Sequence, residues 1–317
     1  MAPRVITVTL NAAIDKRLKV ELLRPGAVLR AASAEYSPGG KGLNVARVIA
    51  QLGGEVTATG FLGGHAGHYI ADRLDAAHVP HQFVWAAGES RSCVNIIDAA
   101  GRATEILEPG LVITDADLLA LTATIRSLSA PGVAVVFSGS LPQGCPPDTY
   151  AHLITAAKSA GALTVLDTSA EPLRHGLDAC PDVIKPNAVE ARALTGTTIE
   201  DPTSAARALR QLAIDRHIPV AICSLGARGA VLVCQSGLWW AEPPLTAAVN
   251  TVGCGDTLVA GFTFAAMAGL TPDQALVAAV ELATAAARSA TTGSFDPTDV
   301  EWVRQTGVQL YELAGQD

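Results

Sequence analysis

Short apolar runs alternate with helical patterns along most of this chain, and that alternation constrains the fold more than any other feature. Residues 5–10, 133–138, 163–167, 220–224 and 230–234 read as buried strands, each too short and too uniformly apolar for a surface element. Between them, residues 43–52 are apolar at helical spacing. Thr114-Asp115-Ala116-Asp117 opens another helix with a capping pattern. Thr271-Pro272-Asp273-Gln274 places a cap, an N1 proline and an N3 glutamine ahead of residues 275–288. Strands separated by helices must run mostly parallel, so the reading is an α/β fold with helices on both faces of one central sheet. Residues 11–38 and 81–109 depart from this rhythm. They lack helical periodicity and carry β-like alternation, as in Ser92-Cys93-Val94-Asn95-Ile96-Ile97-Asp98. They are expected to form a small β lid inserted into the α/β body, with residues 1–317 as a single domain.

At 317 residues, 49% hydrophobic and 16% charged, the chain carries enough apolar mass for a full core. Its formal net charge of −8 argues against nucleic acid and anionic membrane as partners, so an anionic substrate would need a local basic pocket. The six cysteines form no C-x-x-C pair and no metal-like spacing with histidine, consistent with reduced thiols and a cytoplasmic setting. No signal-peptide pattern precedes the opening strand. The uncharged run after Thr257 is too short, and too broken by Gly and Pro, to span a bilayer.

The most chemically pointed stretch is Asn250-Thr251-Val252-Gly253-Cys254-Gly255-Asp256, which leads directly into an apolar helical run. Glycines here let backbone N–H groups approach a ligand, and a helix starting at this point aims its free N–H groups and positive dipole end at it. Such a turn suits a phosphate. Asp256 at its edge is poorly placed to hold an anion but well placed to take a proton from an attacking hydroxyl, which points to phosphoryl transfer. Read without its context, the same stretch is an ordinary turn with a capping aspartate. Near the opening strand, Asn11-Ala12-Ala13-Ile14-Asp15 and Pro38-Gly39-Gly40-Lys41-Gly42-Leu43-Asn44 supply glycines for close approach, together with Asp15 and Asn44 as partners for sugar hydroxyls. The plain alternative is a glycine-rich loop with a solvated lysine.

These motifs resemble those of the PfkB/ribokinase-like carbohydrate kinase family. Gly39-Gly40-Lys41-Gly42-Leu43-Asn44-Val45-Ala46-Arg47 is similar to the family's amino-terminal signature, and Val252-Gly253-Cys254-Gly255-Asp256-Thr257-Leu258 to its carboxy-terminal one. Ser138-Gly139-Ser140-Leu141-Pro142, Lys185-Pro186-Asn187-Ala188-Val189-Glu190 and Ser224-Leu225-Gly226-Ala227-Arg228-Gly229 lie between them in family order. The opening motifs look like the branch of 1-phosphofructokinases, tagatose-6-phosphate kinases and minor 6-phosphofructokinases. Ala12 stands where family members usually have Pro, and Cys254 where they usually have Ala; neither change removes a backbone donor.

The resemblance implies a three-layer α/β/α body with a β lid, ATP and Mg²⁺ as cofactors, and a homodimer through the lid. It implies Asp256 as base, with Gly253, Cys254 and Gly255 as an anion hole. Asp15, Gly39, Gly40, Lys41, Asn44 and Ser138 would hold the sugar. Lys185, Asn187, Thr251, Ser224, Gly226 and Gly229 would line the ATP site, and Glu190 would act on Mg²⁺ through water. Lys185 and Glu190 can also be read as a surface ion pair.

Arg30 and Arg91 fall in the expected lid, where guanidinium groups would grip a substrate phosphate; as plain lid residues they would be solvated. The expected reaction is ATP-dependent phosphorylation of fructose 1-phosphate to fructose 1,6-bisphosphate. Tagatose 6-phosphate or fructose 6-phosphate is the alternative acceptor, and a non-catalytic sugar-phosphate sensor the alternative from another class. A dinucleotide oxidoreductase is disfavoured because no G-x-G-x-x-G follows the opening strand. Cys254 is expected either as a thiol activated by the helix N-terminus, shielded by nucleotide, or as a small apolar filler.

Overall fold

The computed structural model describes residues 2–314. The first half of the chain forms β1 (Arg4–Thr9), β2 (Ala13–Lys19), β3 (Ser33–Gly39), α1 (Lys41–Gln51), β4 (Glu55–Leu62), α2 (Gly64–Ala76), β5 (His81–Trp85), β6 (Arg91–Ile97), β7 (Ala103–Leu107), α3 (Asp115–Leu128), β8 (Val133–Ser138) and α4 (Thr149–Ser159). The second half forms β9 (Leu163–Asp167), α5 (Ala170–Gly176), β10 (Val183–Ile184), α6 (Ala188–Thr195), α7 (Pro202–Asp215), β11 (Val220–Ser224), β12 (Ala230–Cys234), β13 (Gly237–Glu242), α8 (Cys254–Met267), α9 (Pro272–Arg288), α10 (Pro297–Thr306) and β14 (Gln309–Glu312). Local chemistry sets several of these ends. Thr114 and Asp117 form a reciprocal capping box at α3, and Thr271 and Gln274 form another at α9 behind Pro272.

The strands make a ten-stranded sheet in the order β14-β13-β12-β11-β10-β9-β8-β1-β4-β5. From β5 across to β11 all pairings are parallel; β12, β13 and β14 add on antiparallel. The side chains of β1 show why both faces must be covered. Val5 packs with α1, α2, α8 and α9 on one side, and Ile6 and Val8 pack with α3, α4 and α7 on the other. The chain leaves β1 toward β4 and β5, then returns to β8 on the opposite side, so its winding reverses beside β1. The carboxyl ends of β1, β8, β9, β10 and β11 open there, where an α/β sheet binds its ligands.

A separate four-stranded sheet, β3-β2-β6-β7, stands over that opening. Its β2 and β6 pair in parallel, flanked by antiparallel β3 and β7. The expected lid included residues 81–90, and this is corrected. β5 pairs in parallel with β4 at the edge of the large sheet, so the inserted layer resumes only at Arg91. The alternation in residues 81–85 belongs to an edge strand, which shares the period-2 pattern of a lid strand and cannot be told from it by sequence alone.

Helix α1 carries Lys41 and Asn44, helix α8 carries Asp256, and the two pack against each other. Ile49 is fully buried in the core that they share. Ile49→Ala is expected to cost roughly 2–5 kcal/mol of stability, measured by denaturant unfolding, and to lower activity at temperatures where the fold still holds.

Candidate active site

The large cleft, about 640 Å³, lies between the small sheet and the carboxyl ends of the central strands. Asp256, only 6% exposed, forms part of its floor in the first turn of α8. Gly253 caps α8 with φ 84°, and a Cβ there would stand 2.7 Å from Thr292 Cγ2. As first-turn residues, Gly255 and Asp256 keep N–H groups without helical acceptors. Cys254 N–H makes a long bond of 3.4 Å to Thr251 O.

Burial pushes the Asp256 carboxyl up to about 7; nearby Asp167 adds to this, and Asn44, Lys41 and Lys185 oppose it. Asn44 Nδ2 donates to Asp256 Oδ2 at 2.7 Å. Asp167, fully buried at the end of β9, joins two lysines: its Oδ1 lies 3.2 Å from Lys41 Nζ and 3.2 Å from Lys185 Nζ. Burial lowers the Lys41 affinity for its proton, but Asp167, Asp256 and Glu190 outweigh it and raise the pKa. The floor is therefore a dry patch of carboxylates and ammonium groups where a phosphate can be neutralised beside a base.

Above the floor, Asp15 on β2 faces the cleft, its carboxyl raised by burial and partly relieved by Arg47 and Arg91. Gly39 lies beside it, cross-strand from Ala13; any side chain there would collide with the Asp15 carboxylate. Gly40, Lys41, Asn44, Arg91 and Ser138 also line the cleft. Arg91 is oriented by Nε donation to Asn11 O at 3.1 Å.

Arg30 is not brought in. It stands exposed in the connection between β2 and β3, outside the cleft lining, because β2 ends at Lys19 and the chain then loops away before β3. Its expected place among the cations is taken by Lys16 and Arg17 on β2, whose strand alternation gave no reason to prefer them. Arg17 Nη1 donates to Ala290 O at 2.8 Å.

A second cleft of about 310 Å³ adjoins the first. Ser224 and Gly255 line both. Its walls are mostly apolar, with Pro243, Leu258, Val280 and Ala283, and include Gly226, Gly229 and Thr251. That shape and chemistry suit a flat heteroaromatic base joined to a phosphate chain entering the larger cleft. Lys185 and Asn187 stand at the passage, in the lining of the larger cleft.

Glu190 lines neither cleft. One of its oxygens accepts from Asn187 N–H at 2.8 Å in a capping box at α6, while Asn187 Oδ1 accepts from Val189 and Glu190 N–H. Its other oxygen takes no hydrogen bond from the described residues. Cys254 lines the apolar cleft, but burial, with Asp256 nearby, pushes its thiol up to about 11. Both effects oppose thiolate formation, so the placement of Cys254 favours the second expectation, a small wall residue.

Among the described residues, no helix is long and apolar enough to cross a membrane. Asp167 and Arg47 were missed as site residues. The only signal for Asp167 was a carboxylate closing an otherwise apolar strand.

A parallel sheet that opens at its winding reversal onto a buried base, paired lysines and two joined clefts defines an enzyme of the phosphotransferase class. Comparison with known proteins places it more closely. The model for the pfkB family carbohydrate kinases matches residues 6–299, and the chain belongs to that family. It is 33% identical to a 1-phosphofructokinase of Vibrio cholerae over 305 residues, 96% of each chain. It is 39% identical to a 1-phosphofructokinase of Xanthomonas campestris over 271 residues, 84% of this chain and 85% of that one. Its structure is similar to that of phosphofructokinase-2 from Escherichia coli, with a TM-score of 0.91 at 27% identity over 96% of this chain and 99% of that one.

The pH dependence follows from Asp256. A base must be ionised to act, so turnover is expected to be present above about pH 7 and to fall as pH drops through the raised pKa. A kcat-against-pH profile checks this; an acid limb near pH 4, the ordinary carboxylate range, would contradict it.

Proposed function

We propose that this chain transfers the γ-phosphoryl group of ATP to fructose 1-phosphate, giving fructose 1,6-bisphosphate and ADP. The observation that carries the reading is the charge lining the large cleft: a carboxyl with a pKa of about 7 on the floor, and Lys16, Arg17 and Arg91 on the small sheet, alongside the carboxylates of Asp15, Glu35 and Glu105. A substrate with a hydroxyl at one end and a phosphate at the other fits that polarity. The names of the relatives support the 1-phosphate over the 6-phosphates.

The chemistry is mostly placement. Asp15 and Asn44 offer partners for the sugar hydroxyls, and the small sheet covers the phosphate end. Asp256 takes the proton of the 6-hydroxyl as its oxygen forms a bond to the γ-phosphorus and the bond to the β–γ bridging oxygen breaks. Backbone N–H groups at the start of α8 and the ammonium groups of Lys41 and Lys185 face the charge on the moving group. Glu190 suits Mg²⁺ through a water molecule, since that ion takes oxygen ligands, keeps much of its hydration and needs only one or two carboxylates beside substrate phosphates. Bound there, Mg²⁺ would neutralise phosphate charge.

The deciding experiment is steady-state turnover with ATP and Mg²⁺ across fructose 1-phosphate, fructose 6-phosphate, tagatose 6-phosphate and free fructose. Fructose 1-phosphate is expected to give the highest kcat/KM, and Asp256→Asn to lower kcat by roughly 10²–10⁴ with nucleotide binding retained. A preference for a 6-phosphate would move the assignment to that sugar, and a loss below tenfold in Asp256→Asn would remove the base.

The small sheet also serves as the surface for a homodimer. Its edge strand β7 leaves Ile106 and Leu107 more than half exposed, and an apolar sheet edge of this kind favours pairing. Light scattering at micromolar concentration is expected to give twice the chain mass; a fully active monomer would overturn this.

A further inference from the structure

Just behind the cleft lining lies a charged side chain that the proposed chemistry does not use. Arg47 lies one turn beyond Asn44 on α1 and faces the same way. Its Nη2 donates to Asn44 Oδ1 at 2.6 Å and to Thr292 O at 3.1 Å, while its Nε is buried without a partner. Gly293 makes room for the arrangement: with φ 66°, it would otherwise bring a Cβ to 2.8 Å from Arg47 Nη2 and 2.9 Å from Asn44 Oδ1.

We propose that Arg47 is a positioning residue that latches the Asn44 amide in the orientation required to hold Asp256 as a base.

An amide side chain presents oxygen at one end and N–H at the other, and either orientation fills the same space. A guanidinium has donors and no acceptor, so its contact fixes the oxygen of Asn44 toward Arg47 and the N–H toward Asp256. Without the latch, the amide is free to turn its oxygen on the Asp256 carboxylate, a repulsion that favours the protonated acid. With it, Asp256 Oδ2 is engaged at 2.7 Å and Oδ1 is left to accept the proton of the substrate hydroxyl.

Arg47 also lies in the field of two cleft carboxylates. Burial disfavours its charge, and Asp15 and Asp256 partly offset this. The other charged groups facing Asp256 are Lys41 on α1, Lys185 after β10, and Asp167 at the end of β9, with the Cys254 thiol on its own helix. None of these touches the Asn44 amide through a hydrogen bond. The latch therefore belongs to Arg47 alone among the described residues.

This inference rests on Asp256 being the base. It is tested by the acid limb of kcat against pH, at saturating substrates, in Arg47→Met and Arg47→Lys, with ATP affinity measured by calorimetry. Losing a donor and a positive charge both favour the protonated acid, so in Arg47→Met the limb should move up by about one unit and kcat at neutral pH should fall about tenfold. ATP affinity should hold, because Arg47 lines neither cleft. Arg47→Lys keeps the charge but not the planar fork and should move the limb by less. In an Asn44→Ala background, Arg47→Met should move it no further than its residual charge effect.

A limb that stays in place in both variants overturns the proposal, as does an equal shift with and without Asn44. If Arg47→Met does not fold, Arg47→Lys decides by the same limb. Failure here is distinct from failure of the base assignment: an active Asp256→Asn enzyme removes the base, whereas an inactive one beside an unmoved Arg47 limb removes only the latch.

Discussion

The structure turns on the contact between α1 and α8, because it brings a buried carboxylate into register with the groups that govern its charge. Asp256 sits almost out of water in a mostly apolar helix, of which it is the one charged residue. An ionised carboxylate there is costly unless donors and cations face it. Asn44 comes from α1, Lys41 from the start of the same helix, and Lys185 from the end of β10. Burial first, and then the like charge of Asp167, keeps these from drawing the carboxyl back to its ordinary range. A carboxyl that titrates near neutrality thus results from the balance of burial, one like charge and two cations, which come from the end of β9, the start of α1 and the end of β10.

The winding of that sheet makes the balance possible. Residues distant in sequence meet because β1, β8, β9 and β10 end on the same side beside the reversal. Lys41 and Asp167 are held 3.2 Å apart by strand order, not by any local motif. Such distances set the limit of what the amino-acid sequence discloses. The parallel strands 133–138, 163–167 and 220–224 were legible because a strand buried on both faces is uniformly apolar. The capping boxes at α3 and α9 were legible because their chemistry is contained within four residues.

Cleft residues that sit in short motifs, such as Asp256 and Asn44, could be singled out by local turn chemistry. Asp167 could not, since its role depends on lysines far away in the chain. Arg30 was named and Arg17 passed over for a related reason. Both lie in a β-like stretch rich in basic residues, and only the point where β2 ends decides which guanidinium faces the cleft. For Cys254 the sequence left two readings open, because the helix end was visible and the depth of burial was not.

The two glycines of the turn before α8 obey different authorities. Gly253 is required by the fold, since its φ of 84° and the nearness of Thr292 leave no place for a larger residue. Gly255 carries no such demand: a Cβ there would meet only Lys185 Nζ, at an ordinary 3.7 Å. Yet Gly255, with Ser224, lines both clefts. The demand at residue 253 comes from the polypeptide's own conformation. At residue 255 the fold itself would admit a methyl group, which would stand in the lining that the two clefts share.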